Sequence, residues 1–238
     1  MSKEEDQKKE DFLLEPTRDF VFKNIFGVER NRRIVVSFLN AVLEGNPKIT
    51  SVEFGNSEIP RAREDGKSVG LALLARTPED TTIINIAIQR IDRGDTENRA
   101  YVHVSRIRPD KLEIGQDYND IPNIILLWVT DFIVYPDIEP YLNEYTHVIL
   151  PRGNDPMKIG TRKSRIFILE LPKISYSVEN LSNIEKDPLQ LWMTFIKKPE
   201  IISEDIISRI PEIGEAMAEL KRLSSDRTAR ALYEAELS

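Results

Sequence analysis

The chain has no cysteine among its 238 residues, which removes a disulfide framework, a thiolate zinc site and a cysteine nucleophile together. It also lacks any apolar run near the roughly 18 residues that a membrane span requires, so no membrane partner is expected. An excess of positive charge is missing too. The formal net charge is −7 and the pI is near 5.1, which argues against indiscriminate coating of nucleic acid. A nucleic-acid enzyme stays open, because local basic clusters can serve and metal-holding carboxylates add negative charge. The first eleven residues, MSKEEDQKKED, lack the apolar core of a secretory leader, so a cytoplasmic protein is expected. Internal repeats and low-complexity segments are absent as well.

What is present describes an ordinary globular chain, 40% hydrophobic and 31% charged, long enough for one large domain or one domain with a helical appendage. Residues 1–11 read as a disordered charged tail. A helix is expected from Pro16 to Gly27, with Thr17 as its N-cap, and a second carries Ile34, Val35, Phe38, Leu39, Val42 and Leu43 as an apolar stripe. Residues 48–54 alternate like an edge strand, and 55–67 read as a loop. Residues 98–108 suggest a helix, although Val102 and Val104 leave a strand open. Asn123–Thr130 is a continuous apolar run of the kind that forms a buried central strand. Segments 145–150 and 165–171 supply two more strands, and from Pro188 onward the pattern is helical. The fold class is therefore α/β, borderline α+β. The expected division is a tail at 1–11, a domain at 12–186 and a helical C-terminal region at 187–238.

The segment Val69–Arg90, VGLALLARTPEDTTIINIAIQR, reads as a β-hairpin with strands at 69–76 and 83–90 around the turn-forming TPEDTT. That arrangement sets residue 72 opposite 87. Alternation puts Asn85, Ala87 and Gln89 on one face with Ala72, and sends Ile84, Ile86 and Ile88 to the core. The shared face is the candidate site, and two of its positions hold alanine.

Several stretches resemble a known family. Asp19-Phe20-Val21-Phe22-Lys23-Asn24-Ile25-Phe26-Gly27, then Ser37-Phe38-Leu39-Asn40-Ala41-Val42-Leu43, are similar to the amino-terminal signature of the PD-(D/E)XK nuclease family transposases, relatives of the recombination-promoting nucleases. The likeness continues through the hairpin, Arg99-Ala100-Tyr101, Gly115-Gln116-Asp117-Tyr118, strand 123–130, and the Ser-Ser-Asp and Leu-Tyr-Glu elements near the C-terminus. It spans about residues 13–235.

The resemblance implies a restriction-endonuclease-like core, a mixed β-sheet flanked by helices. It implies an endonuclease active on DNA, using Mg²⁺ held by an Asp on one strand and a Glu on the next, with a Gln or Lys two residues later. Such a cation takes oxygen ligands, polarises the scissile phosphate and activates a water. Carried onto this chain, the Asp falls on Ala72, the Glu on Ala87 and the Gln on Gln89. Only Gln89 is retained, so the Mg²⁺ site is not expected to form and the chain is expected to be inactive. Deliberate replacement and natural loss are both compatible with that pattern. A non-catalytic nuclease-like binding or interaction module is the alternative, and a homo-oligomer stays open.

Other polar residues carry weaker signals. Arg99 and Arg106 are candidate nucleic-acid contacts within one of three basic clusters, the others being Arg30, Arg32 and Arg33, and Arg152 to Arg165; such runs are usually solvated surface. Asp19 reads better as a helix N-terminal acid than as an extra metal ligand. Glu64 and Asp65 precede the hairpin as loop acids. His103 reads as a partly buried surface residue, His147 as structural, and Trp128 and Trp192 as core.

Overall fold

A computed structural model describes residues 12–54, 71–76, 81–106, 117, 122–137, 146–149, 164–174 and 187–237. The chain forms two compact units, one comprising residues 1–43 with 175–238 and the other residues 44–174. These bounds differ from the expected division at 186/187, because the amino-terminal helices group with the carboxy-terminal ones. Pairing of segments so distant in sequence leaves no trace in local periodicity. The expected tail at 1–11 lies outside the described residues.

The helical unit contains α1 (Asp19–Phe26) and α2 (Arg32–Val42), then α4 (Pro188–Lys197), α5 (Glu204–Arg209), α6 (Pro211–Ser225) and α7 (Arg227–Leu237). The apolar stripe of α2, Ile34, Val35, Phe38, Leu39 and Val42, is buried as its spacing predicts. Phe26, Phe38, Trp192 and Phe195 form its aromatic centre, with ring centroids 5.1 to 6.5 Å apart.

Thr17 is not the N-cap of α1. Arg18 occupies that position without a side-chain cap, and the first-turn N–H groups of Asp19 and Phe20 donate instead to the Glu236 carboxylate at 3.1 and 3.2 Å. A carboxylate from another helix thus satisfies orphan donors that a local residue usually takes. The helical pattern that runs on from Pro188 is interrupted at Asp226, whose carboxylate accepts from Ala229 N at 2.9 Å and starts α7.

The described residues of the other unit form a six-stranded sheet and a helix. Its strands are β1 (Ser51–Phe54), β2 (Leu71–Arg76), β3 (Thr81–Gln89), β4 (Asn123–Thr130), β5 (Thr146–Ile149) and β6 (Ser164–Glu170), in the order β1-β2-β3-β4-β6-β5. β3, β4 and β6 run parallel, while β1, β2 and β5 pair antiparallel. This mixed sheet is the architecture expected. β4 is buried along nearly its whole length, as a central parallel strand must be. The crossover from β3 to β4 carries α3 (Thr96–Arg106), which settles the helix-or-strand ambiguity there in favour of helix.

The hairpin register differs from the expected one by two residues. β3 begins at Thr81, so Thr81 and Thr82, read above as turn, pair with Arg76 and Ala75. Threonine is turn-compatible but also β-branched, and beside an open strand its β preference prevails. Ala72 therefore faces Asn85, not Ala87. A shift of two keeps every residue on its own face, so positions 72, 85, 87 and 89 still share one.

Candidate functional site

The carboxyl ends of the three parallel strands bring Gln89, Thr130 and Glu170 into one row across the sheet. One step inward lie Ala87, Trp128 and Ile168, and one further Asn85, Leu126 and Ile166. This face is not open. Ala87 is 4% exposed and belongs to an apolar cluster with Ile83, Ile124, Leu126, Trp128, Tyr135, Ile166, Ile168 and, from α3, Ala100 and Val104. Both faces of β3 are buried from Thr82 to Ile88, whereas alternation reserved one of them for the site. The difference arises because the crossover helix returns over this face, as a parallel connection requires.

α3 also brings two of the candidate residues together. Arg99 donates from Nη2 to Gln89 Oε1 at 3.3 Å, with its guanidinium 5.5 Å above the Trp128 ring and 3.9 Å from Asp95. Gln89 and Arg99 are both half-buried. His103 is half-buried, its ring set edge-on to Trp128 at 5.5 Å. Arg106 closes α3, and its side chain lies outside the described residues, as do Glu64, Asp65, the side chain of His147 and the basic segment 152–163.

The amino-terminal basic cluster resolves into structural ion pairs. Arg30 meets Glu219, Arg32 meets Glu29, and Arg33 meets Glu212 and Glu215. Asp19 pairs with Lys23 at 2.5 Å, in line with a helix-stabilising acid.

Sequence reasoning missed a polar network at the end of β6. Glu170 is fully buried and forms an ion pair with Lys173 at 2.6 Å, their side chains 0% and 5% exposed. The same carboxylate accepts from Val134 N, and from Tyr135 N at 2.9 Å. Lys173 donates to the Tyr135 carbonyl at 2.9 Å, and the Tyr135 hydroxyl donates to Glu97 at 2.6 Å. The network thereby fastens the segment after β4 to the first turn of α3, the helix that carries Arg99. Its one local signal was a Glu ending the apolar run FILE, followed three residues later by Lys.

Glu170 is the carboxylate in the strand-end row, and its oxygens are engaged by Lys173 and backbone N–H groups. Ala72 and Ala87 have no oxygen to offer. Among the described residues no group of three or more His, Cys, Asp or Glu is placed to hold a metal ion, so the residues present do not fit a carboxylate-bound Mg²⁺. Nor, among the described residues, is any helix long and apolar enough to cross a membrane.

Compared with protein families, residues 16–238 match the one described as PD-(D/E)XK nuclease family transposase. No curated protein matches the chain, and neither does any solved structure.

Proposed function

This chain belongs to the PD-(D/E)XK nuclease family transposases, and from that premise we propose that it is a DNA endonuclease scaffold of the recombination-promoting type whose metal site has been emptied. Ala72 and Ala87 stand at the two ligand positions, and Mg²⁺-dependent phosphodiester hydrolysis is lost with the carboxylates. The carrying observation is that two alanines and Gln89 share one sheet face, Gln89 at the carboxyl end of parallel β3, Ala87 one step inside it and Ala72 beside Asn85 on the adjoining antiparallel β2. The crevice at the carboxyl ends of strands is where open α/β sheets place their ligands.

The residues that remain suit binding without cutting. Arg99 occupies the Gln89 amide oxygen, which turns the amide N–H₂ into the group on offer to a phosphate oxygen. The Arg99 guanidinium, steadied on the Trp128 ring, supplies a cation beside it. Nothing at positions 72 or 87 can stabilise the charge that develops on a phosphate under attack, and that stabilisation is commonly the largest share of catalysis.

The test is restoration. Ala72→Asp combined with Ala87→Glu is expected to nick supercoiled DNA in the presence of Mg²⁺, while the parent chain does not. A folded double variant that stays inert over a range of duplex and single-stranded substrates would overturn the reading. Fluorescence anisotropy of the parent with DNA across a salt series separates the alternative. Salt-sensitive binding supports a nuclease-derived site, and absence of binding at low salt points to a protein partner.

A further inference from the structure

Trp128 is completely buried, yet its indole N–H has no hydrogen-bond acceptor among the described residues. A buried tryptophan normally finds a partner for that group, because a donor taken out of water without an acceptor loses its hydration uncompensated. Register names its neighbour on the adjacent strand. Trp128 on β4 pairs directly with Ala87 on β3, on the same face and in the same apolar cluster. Neighbouring strands run about 4.8 Å apart, so a side chain longer than alanine at 87 would lie against the indole.

A second orphan accompanies it. The Asn85 side-chain oxygen is also buried without a partner, and Asn85 faces position 72 across the hairpin. Each alanine therefore has an unpaired polar atom on the residue that faces it in the adjacent strand. Among the described residues the hydroxyls of Thr82 and Thr146 are likewise without a partner, but they belong to the opposite face of the sheet by register.

We propose that the Trp128 indole N–H is the donor that seats a carboxylate at position 87, which makes Trp128 a positioning residue of the complete site. The proposal rests on the reading of position 87 as a ligand position and adds to it the residue that aims the ligand. Groups that hold a metal ligand in place commonly contribute 10- to 100-fold to metal affinity. Arg99 and His103 also lie against the Trp128 ring, so the indole is packed from the α3 side.

The experiment is a proton–nitrogen spectrum of the two indole groups, Trp128 and Trp192, with Trp128→Phe identifying its resonance by loss. In Ala87→Glu the Trp128 indole proton is expected to move downfield and to exchange more slowly with solvent. Ala87→Met, similar in length but without an oxygen, leaves it in place. Should Ala87→Glu fail to fold, Ala87→Gln carries an acceptor oxygen without charge and must produce the same movement. An unmoved indole resonance in a folded Ala87→Glu or Ala87→Gln chain overturns the proposal.

Calorimetric titration of Mg²⁺ into the Ala72→Asp, Ala87→Glu chain separates the two levels of the argument. Adding Trp128→Phe should weaken Mg²⁺ binding by about 10-fold or more. Binding that ignores Trp128→Phe refutes the positioning role while the ligand reading stands. An indole that shifts in a chain that binds no Mg²⁺ refutes the ligand reading while the hydrogen bond stands.

Discussion

Glu170→Gln should be among the most damaging single substitutions in the sheet unit. Glu170 and Lys173 are 0% and 5% exposed, so neutralising one leaves the other charge buried and uncompensated. Breaking such a pair from one side typically costs about 3–5 kcal/mol. Val134 N and Tyr135 N both donate to one oxygen, Oε1, while Lys173 meets the other; a glutamine that keeps its oxygen on the two backbone donors turns its N–H₂ towards the Lys173 ammonium, which leaves donor facing donor. For a chain of this size about 1 kcal/mol corresponds to roughly 2–4 °C in Tm, so a loss of about 6–20 °C is expected. Thermal melting followed by circular dichroism reads it, as a shift of the transition of the sheet unit. Glu170→Gln with Lys173→Met removes both charges and should recover part of the loss, a coupling of about 2 kcal/mol. A shift under about 1 kcal/mol, or no coupling between the two positions, would refute the claim that this pair clamps the strand end. The perturbation should also reach the site, since Tyr135 ties the same network to Glu97 on α3.

Two further outcomes follow. Arg99→Ala removes the hydrogen bond to Gln89 and the cation above Trp128; DNA affinity measured by anisotropy should fall, and the slope of log affinity against log salt should become shallower by about one. An unchanged slope would remove Arg99 from the phosphate contacts. In the helical unit, hydrogen bonds from Arg222 hold Glu219 below the usual carboxylate range; burial opposes them, and Arg30 adds to the lowering. A depressed carboxylate contributes stability above its unfolded pKa of about 4.3 and loses it as pH falls through the folded value. Glu219→Gln should therefore cost about 1–3 kcal/mol at pH 7 and progressively less below pH ~4. Melts of both chains across that window check the sign, and a gap that widens towards acid would contradict it.

Much of the fold was legible because its signals are local. The apolar run 123–130 is β4 to the residue, the stripe on α2 is buried as spaced, and the family signature predicted over 13–235 is matched over 16–238. The site was legible only as a face. Period-two alternation survives a slip of two residues, so Ala72, Ala87 and Gln89 were correctly placed together although their register was not. The slip came from Thr81 and Thr82, whose side chains suit turn and strand alike. What local pattern could not show is long-range. The lid that α3 makes over Ala87, the Glu236 carboxylate on the first turn of α1, and the Glu170–Lys173–Tyr135 network each join residues that no periodicity links.

If the scaffold holds no metal because two side chains lack oxygen, returning the oxygens should return the metal. Isothermal titration of Mg²⁺ into the parent chain and into the Ala72→Asp, Ala87→Glu variant reads this. The parent should not bind, and the variant should bind saturably and one-to-one, with an accompanying rise in Tm. Mg²⁺ bound equally well by the parent, or by neither chain when both are folded, would refute the emptied-site reading.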